Sequence, residues 1–278
     1  MNDLLLHVVV RDVARRIVQK CCAHASRITT PARRTSCSWC RKSLAFCADG
    51  TINVARWNEG LSELGNDPQS VRESYDRIAA AYASHYANEL QHKPIDRELL
   101  NRFAAEVKGR GDVCDMGCGP GHIARYLRNT GVVNLFGLDL SPRMVEQARQ
   151  RNPDITFQVG NMMNLDLRDA SLGGIVAFYA IVNISENLLP TVFGEMWRVL
   201  KSRGRLLLSF HIGDETIRPG ELLGQTVSMD FFFFQPAAIT KRIEAAGFTI
   251  EDVVERGPYG PEVEYPSRRA YVFAAKAE

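Results

Sequence analysis

The sequence predicts an α/β protein in which a mostly parallel β-sheet is covered by helices on both faces. Three features predict this fold. Short apolar segments alternate with helix-like segments from residue 112 to residue 211, three glycines follow the first apolar segment, and no helix separates the last two β-rich segments. Strands with few polar positions suit a sheet buried on both faces, and right-handed crossovers then make it doubly wound.

The predicted strands are short, and turn-forming residues separate them from the helices. The last two strands should pair antiparallel, because the connection between them contains no crossover helix. A further β-rich run at 227–234 contains four consecutive phenylalanines. The predicted strands of the sheet are 112–116, 134–139, 155–159, 175–179, 205–211, 249–255 and 269–275.

Capping residues and apolar spacing locate the helices. Ser70 and Glu73 have the spacing of a capping box, and tyrosine and aliphatic residues then recur at steps of three and four. Pro94 suits the first turn of the next helix, and Ser141 and Pro142 supply a cap and a first turn further along. The predicted helices are 70–88, 94–107, 122–129, 142–151, 189–200 and 236–246.

The two ends of the chain differ in charge and in cysteine content. The protein has 278 residues and a net charge of +2. Residues 1–60 contain ten Lys/Arg and four Asp/Glu residues, whereas residues 61–278 contain twenty-four and twenty-eight, so the two parts carry +6 and −4. Five of the seven cysteines lie in the first part. We therefore expect a basic extension, residues 1–68, and a domain, residues 69–278, long enough to bury one core.

Four interpretations of the first sixty residues are open. The start of the chain has the pattern of an amphipathic basic helix, and its acid-poor, Arg- and Ser-containing composition is also typical of an organelle transit peptide. Cys37 and Cys40 with Cys21, Cys22 and His24 have zinc-ligand chemistry, but only one C-x₂-C pair is present. We favour the fourth interpretation, a poorly ordered extension or an incorrectly assigned start codon, and so we expect no metal site.

Composition also bears on the compartment. No apolar run approaches the roughly 18–20 residues that a membrane helix needs, and an odd number of unevenly spaced cysteines disfavours a secreted disulfide framework. We expect a cytoplasmic protein without a membrane partner, or an imported one if residues 1–60 are a transit peptide. The sequence predicts no particular oligomeric state.

Gly117, Gly119 and Gly121 follow the first predicted strand. Alternating glycines allow the backbone to turn sharply and to approach a ligand, which in an open α/β sheet binds at the carboxyl ends of the strands. His122 stands where the dinucleotide pattern G-x-G-x-x-G needs its third glycine, and no P-loop pattern is present. Asp115, just before the turn, disfavours a pyrophosphate and suits a zwitterionic amino-acid group better.

Residues 112–121, DVCDMGCGPG, resemble motif I of the class I S-adenosylmethionine-dependent methyltransferases. The resemblance extends over about residues 70–278 and implies a Rossmann-like, seven-stranded sheet with a terminal antiparallel pair. It also implies that the helix of Tyr75 and Tyr82 forms a lid over the cofactor S-adenosylmethionine, although an ordinary amphipathic helix would show the same periodicity.

The resemblance assigns roles to single residues. Asp139 would accept hydrogen bonds from both ribose hydroxyls, or alternatively would complement a helix dipole. Asn161 stands where many relatives have an aspartate near the adenine amino group, and Met162 would pack on the ring. Phe178 and its neighbours Ala177 and Tyr179 would line the methionine end. The implied cofactor-binding residues are Tyr75, Tyr82, Asp115, Gly117, Cys118, Gly119, Pro120, Gly121, Asp139, Leu140, Met144, Asn161, Met162 and Phe178.

Methyl transfer from a sulfonium is an in-line displacement, so the protein mainly aligns the acceptor and excludes water. A general base is needed only for an acceptor that is protonated at neutral pH. His211, at the end of the fifth predicted strand, is a candidate for that role. Further residues in segments that could face the acceptor are His85, Asn183, Glu186, Asp214, Glu215 and Asp230.

The expected acceptor is a small molecule, apolar or aromatic. The stretch after the fourth strand lacks the Asp/Asn-Pro-Pro-aromatic motif of base-methylating relatives, and the domain has no basic stripe, so a nucleic-acid partner is not expected. Leu222, Leu223 and 229–234 would supply an apolar acceptor lining. Two alternatives are a regulatory or scaffold module that binds S-adenosylmethionine without turnover, and an NAD-dependent oxidoreductase.

Overall fold

A computed structural model describes residues 66–277. The chain divides into two units, Met1–Glu63 and Leu64–Glu278, and the second contains every described residue. The interpretations of residues 1–60, including zinc binding by Cys37 and Cys40, therefore lie outside the described residues. Asn66 and Asp67 fall in the predicted extension, and both contact the domain described below.

The described residues contain a large sheet and two small ones. Strands β1, β2, β3, β4, β5, β10 and β11 form the large sheet, whereas β6 pairs with β9 and β7 pairs with β8. Their bounds are β1 Asp112–Met116, β2 Leu135–Asp139, β3 Thr156–Val159, β4 Leu172–Phe178, β5 Leu200–His211, β6 Thr216–Ile217, β7 Glu221–Leu222, β8 Gln225–Thr226, β9 Phe231–Phe232, β10 Phe248–Arg256 and β11 Arg269–Lys276.

The order of strands in the large sheet is β10-β11-β5-β4-β1-β2-β3. The pairs from β3 to β5 are parallel, and β11 runs antiparallel to both of its neighbours, β5 and β10. The seven-stranded, mostly parallel sheet with an antiparallel pair at one end is thus confirmed. The carboxyl ends of β1, β2, β4 and β5 meet at one edge, next to the loop between β10 and β11.

The helices begin close to where the sequence places them, with one correction. Asp67, rather than Ser70, is the N-cap of the first helix, because its carboxylate accepts hydrogen bonds from the backbone N–H groups of Gln69 and Ser70. A short 3₁₀ turn, Glu89–His92, precedes the second helix. The α-helices are α1 Pro68–His85, α2 Pro94–Val107, α3 His122–Asn129, α4 Pro142–Arg151, α5 Leu189–Val199 and α6 Pro236–Ala245.

Helices cover both faces of the sheet. On one face α5 and α6 contribute Phe193 and Ile239 to the core, and on the other α2 and α3 contribute Phe103 and Leu127. All four side chains are fully buried, and each stabilises the fold by about 1.5–3 kcal/mol through apolar burial. These two cores cover the faces of the sheet, and the cavity described below lies at its carboxyl edge.

The segment between β5 and α6 differs from the prediction. The β-rich run 227–234 does not form one strand but only β9, which pairs with β6. Phe234 is buried in the core, whereas Phe231 and Phe233 face a cavity. The phenylalanine side chains of this segment therefore lie on two sides of it, one in the core and two in the cavity wall. Among the residues that the structure describes, no helix is long and apolar enough to span a membrane.

Candidate functional site

A cavity of about 720 Å³ lies at the carboxyl edge of the sheet. The segments after β1, β2, β3 and β4 form its floor, and α1 and the segment 217–233 contribute to its sides. Of the predicted site residues, the wall includes Tyr75, Tyr82, Gly117, Cys118, Gly119, Asp139, Leu140, Met144, Asn161, Met162, Phe178 and His211. It does not include Asp115, Pro120 or Gly121, which are buried behind the turn.

The glycine turn meets close packing on both sides. Gly117 has φ +73°, and a Cβ there would lie 2.5 Å from the Cβ of Ala180. A Cβ at Gly121 would lie 2.8 Å from the ring of Phe157. Gly119 is different, since a Cβ at this position would meet only the Tyr82 ring, at 3.9 Å, and would project into the cavity. Gly117 and Gly121 therefore avoid clashes within the protein, whereas Gly119 leaves open space in the cavity.

Asp139 ends β2 and binds the glycine turn from the neighbouring strand. Its Oδ2 accepts a hydrogen bond from Gly119 N at 2.8 Å, and its Oδ1 accepts one from Ser141 N at 2.8 Å. Burial raises the pKa of this carboxyl to about 6, and the two N–H donors oppose that shift. Asp139 is thus ionised at neutral pH, lies in the cavity wall and fixes the position of Gly119.

Asp115 has a different place from the one the resemblance implies. Its side chain is 1% exposed, and Oδ2 accepts a hydrogen bond from Ala124 N at 2.9 Å in the first turn of α3. Burial raises the pKa of Asp115 to about 7, while His122 and the Ala124 N–H act in the opposite direction. The residue supports the turn from behind and has no surface in the cavity.

We expect the stability of the domain to respond to the protonation of Asp115. Because its folded-state pKa is raised from 3.8 to about 7, the free energy of unfolding should fall as the pH rises through that interval, by at most about 1.4 kcal/mol per pH unit. Asp115→Asn cannot ionise, so its stability relative to the wild type should increase with pH between 4 and 7. Urea unfolding at four pH values measures this difference, and a pH-independent difference would contradict the assignment.

Polar contacts fasten α1 to the segments around the cavity. The Tyr75 hydroxyl donates to Asn183 Oδ1 at 2.7 Å, and Asn183 Nδ2 donates to the Asp230 carbonyl at 2.8 Å. Asn66 Nδ2 donates to the carbonyls of both Asn183 and Asp230. The Tyr82 ring packs against Tyr86 with 4.3 Å between ring centroids. The lid interpretation stays a prediction, and these contacts show how α1 is held beside the cavity.

The segment after β3 and the last residue of β4 bring two further predicted residues to the wall. Asn161 Oδ1 accepts a hydrogen bond from Met163 N at 2.9 Å, so one lone pair of the amide oxygen is used within its own turn. Phe178 packs edge-on against the Tyr179 ring, with centroids 5.2 Å apart. Ala177, by contrast, is fully buried in the core and does not reach the cavity.

His211 lies at the end of β5 in a stack of aromatic rings. Its ring centroid is 5.0 Å from that of Phe233 and 5.2 Å from that of Tyr179, with interplanar angles of 22° and 31°. Nδ1 lies 2.7 Å from the hydroxyl oxygen of Ser267. Burial and the nearby cations Arg269 and Lys93 lower the pKa of His211 to about 3, so the imidazole is neutral at physiological pH.

The sequence analysis missed a cluster of charged residues in the wall. Glu89 lies 2.6 Å from His122 Nε2 and 2.7 Å from Lys93 Nζ, and its pKa is lowered to about 2: these two partners outweigh its burial. Glu264 lies 2.9 Å from Arg269. The i, i+4 spacing of Glu89 and Lys93 indicates an ion pair, but no local signal brings the β10–β11 loop to the same place.

The remaining candidates separate into two groups. His85 and Asn183 line the cavity. Glu186, Asp214, Glu215 and Asp230 do not, and three of them have other partners: Glu186 pairs with Arg242, Asp214 accepts from Gln235, and Asp230 pairs with Arg218. Within residues 66–277, no group of three or more His, Cys, Asp and Glu side chains is placed to hold a metal ion.

Comparisons with known proteins point to one family. Residues 113–204 match a family model described as a methyltransferase domain. A malonyl-(acyl-carrier protein) O-methyltransferase from Enterobacter lignolyticus is 41% identical over 140 residues, which are 50% of this chain and 53% of that protein. A demethylmenaquinone methyltransferase from Thermotoga maritima is 37% identical over 148 residues, 52% of this chain and 62% of that protein.

The matched region spans only a little more than half the length of these two relatives. A crystal structure of the 4+2 cyclase SpnF has a similar fold, with a TM-score of 0.60, 18% sequence identity, and coverage of 77% of this chain and 98% of that chain. At this identity the similarity concerns the fold alone.

Proposed function

We propose that the chain transfers a methyl group from S-adenosylmethionine to a small-molecule acceptor, since residues 113–204 match a methyltransferase-domain model and similar proteins are named as methyltransferases. The observation that carries the proposal is the wall formed by Gly119 and Asp139. A backbone without a side chain faces the cavity there, and a carboxylate that accepts two backbone hydrogen bonds lies beside it.

The residues at this wall fit the cofactor. The carboxylate of Asp139 has lone pairs for the two ribose hydroxyls besides those used by Gly119 N and Ser141 N. Asn161 presents its amide and Met162 its thioether side chain after β3, where the adenine would pack. Tyr75, Tyr82 and Phe178 would cover the methionine end. When bound, the cofactor supplies a methyl group already activated on a sulfonium, so these residues need only orient it and exclude water.

One side of the cavity suits an apolar or aromatic acceptor. Ile217, Leu222, Phe231 and Phe233 line it from the segment between β5 and α6. Two similar proteins are named for acting on demethylmenaquinone and on malonyl-(acyl-carrier protein), both organic acceptors. The net charge of −4 on residues 61–278 disfavours a polyanionic nucleic acid.

Two alternatives remain distinguishable. A protein named as a cyclase has a similar fold, so the fold alone does not establish methyl transfer, and a module that binds S-adenosylmethionine without turnover is the first alternative. An NAD-dependent oxidoreductase is disfavoured by Glu89. This anionic carboxylate lies in the wall and pairs with His122, the residue at the third fingerprint position, and it would repel a pyrophosphate.

Calorimetry with S-adenosylmethionine on the purified chain tests the proposal first. We expect saturable binding, followed by release of S-adenosylhomocysteine when a pool of metabolites is added. An absence of binding heat would contradict the proposal, and binding without release from any acceptor pool would favour the module without turnover. A fluorescence titration with NADH tests the oxidoreductase alternative, for which we expect no saturable signal.

A further inference from the structure

The side-chain amide of Asn161 is held in one orientation by its own turn. Its Oδ1 accepts a hydrogen bond from Met163 N at 2.9 Å, and the backbone carbonyl of Asn161 accepts one from Asn164 N at 3.0 Å. A backbone N–H donates to the oxygen of an amide and not to its NH₂ group, so the two ends of the amide cannot be exchanged without losing the first bond. The NH₂ group is therefore the end that the turn leaves unused.

This NH₂ group is accessible to a ligand. Asn161 is partly buried and lines the cavity. Within residues 66–277, its Nδ2 makes no hydrogen bond, yet it is not among the buried polar atoms that lack a partner. An amide nitrogen of this kind donates and does not accept. Asn161 thus presents a hydrogen-bond donor to whatever occupies this end of the cavity.

The order of the strands indicates which part of the cofactor meets this donor. Strand β2 lies between β1 and β3, and Asp139, at the end of β2, pairs with Val159, at the end of β3 and two residues before Asn161. Gly119 and Phe178 follow or end β1 and β4, on the other side of Asp139. A ribose that binds Asp139 and directs its 5′ sulfur toward β1 and β4 therefore directs its base toward Asn161.

The neighbours of Asn161 in the wall cannot read the edge of a base through side-chain hydrogen bonds to it. Leu140, Met144, Met162 and Met163 line the cavity with apolar side chains. Such side chains pack against the flat faces of a purine and gain from its burial, whichever polar atoms its edge carries. Of the side chains that the segment after β3 contributes to the wall, Asn161 is the one with a strong hydrogen-bonding group.

On this basis, and resting on the proposed function, we propose that Asn161 recognises the adenine of the cofactor as a donor, with Nδ2–H bound to the ring nitrogen N1. The edge of adenine carries an acceptor, N1, beside a donor, the 6-amino group. A donor side chain reads N1 and gains nothing from the amino group, whereas a carboxylate at this position would accept from the amino group. The chain therefore selects purines with an unprotonated N1 and tolerates loss of the 6-amino group.

Two analogues of S-adenosylhomocysteine separate these two atoms. The 1-deaza analogue has C–H in place of N1, and the 6-deamino analogue keeps N1 but lacks the amino group. Calorimetry should show that the wild type binds the 1-deaza analogue about three- to tenfold more weakly than the parent compound, the scale of a neutral hydrogen bond, and the 6-deamino analogue within about twofold of it. Equal affinity for the 1-deaza and parent compounds, or a larger loss with the 6-deamino analogue, would overturn the proposal.

Asn161→Asp is the matched variant, because an aspartate can still accept the hydrogen bond from Met163 N and so keeps the turn. At pH 8 this variant should show the opposite pattern, a loss of affinity with the 6-deamino analogue and almost none with the 1-deaza analogue. Asn161→Ala should respond to neither change. A penalty for the 1-deaza analogue that persists in both variants would assign N1 to another group and refute the role of Asn161.

Failure of this proposal is distinguishable from failure of the proposed function. If the wild type binds neither S-adenosylmethionine nor S-adenosylhomocysteine, the proposed function is wrong and this proposal falls with it. If the parent compound binds saturably and the removal of N1 costs no affinity, only the role of Asn161 is wrong.

Discussion

Gly119→Leu is expected to weaken the binding of S-adenosylmethionine by about a hundredfold or more while the domain stays folded. A side chain at this position meets nothing of the protein within 4 Å except the Tyr82 ring, so it would extend into the cavity that we assign to the cofactor. Overlap in a closely packed site costs about 1–3 kcal/mol, and here it adds to the loss of backbone contact. Calorimetry with S-adenosylmethionine measures the effect.

Gly109→Leu is the matched control for that substitution. Gly109 also has positive φ, +76° against +50° for Gly119, and a Cβ there meets nothing within 4 Å. Both variants should lose about 1–2 kcal/mol of stability through the left-handed backbone, but only Gly119→Leu should lose cofactor affinity. Equal affinity in the two variants would contradict the placement of the cofactor against the turn.

Asp139→Ala should weaken S-adenosylmethionine binding by about 1–3 kcal/mol, or roughly 5-fold to 150-fold, because hydrogen bonds from both ribose hydroxyls would be lost. Binding should be measured at pH 8, because this lies well above the pKa of about 6 of the Asp139 carboxyl, which is then ionised. Asp139→Asn keeps one acceptor oxygen and should bind with intermediate affinity. Unchanged affinity in the alanine variant would rule out the ribose assignment.

Asp76→Ala controls for the structural part of that effect. Asp76 accepts hydrogen bonds from the Ser141 hydroxyl at 2.6 Å and from Arg143 N at 3.0 Å, close to Asp139, but it does not line the cavity. Both alanine variants lose hydrogen bonds to backbone N–H groups near the start of α4. A cofactor affinity that falls only in the Asp139 variant therefore excludes a loosened start of α4 as the cause of the effect.

Most of the large sheet could be predicted from the sequence because residues close in the chain mark where its strands and helices begin and end. Strand β1 and helix α3 begin and end at the predicted residues, since the glycine turn and Gly131 define them within a few positions. Strand β5 begins five residues before the predicted 205, at Leu200, because the exposed residues Lys201–Arg203 continue the strand without an apolar pattern. A polar strand end gives no periodic signal.

The sequence could predict only those site residues that lie in one loop directly after a strand. Gly119, Asp139 and Asn161, at or after the ends of β1, β2 and β3, lie in the cavity wall, whereas Pro120 and Gly121 do not. Lys93, which directly precedes α2, meets Glu264 and Arg269 of the β10–β11 hairpin although more than 160 positions separate them. Their meeting depends on tertiary packing, which neither spacing nor composition encodes.

The reversed direction of β11 has a consequence for how this fold can vary between related chains. Residues 257–268 join two hydrogen-bonded antiparallel neighbours, so both ends of this loop are anchored in one ladder at the rim of the pocket. Lengthening such a loop carries a small entropic cost and leaves strand register untouched. Under the proposed function, exchange of residues 257–268 between related chains should change the rim of the pocket and leave Gly119 and Asp139 in place.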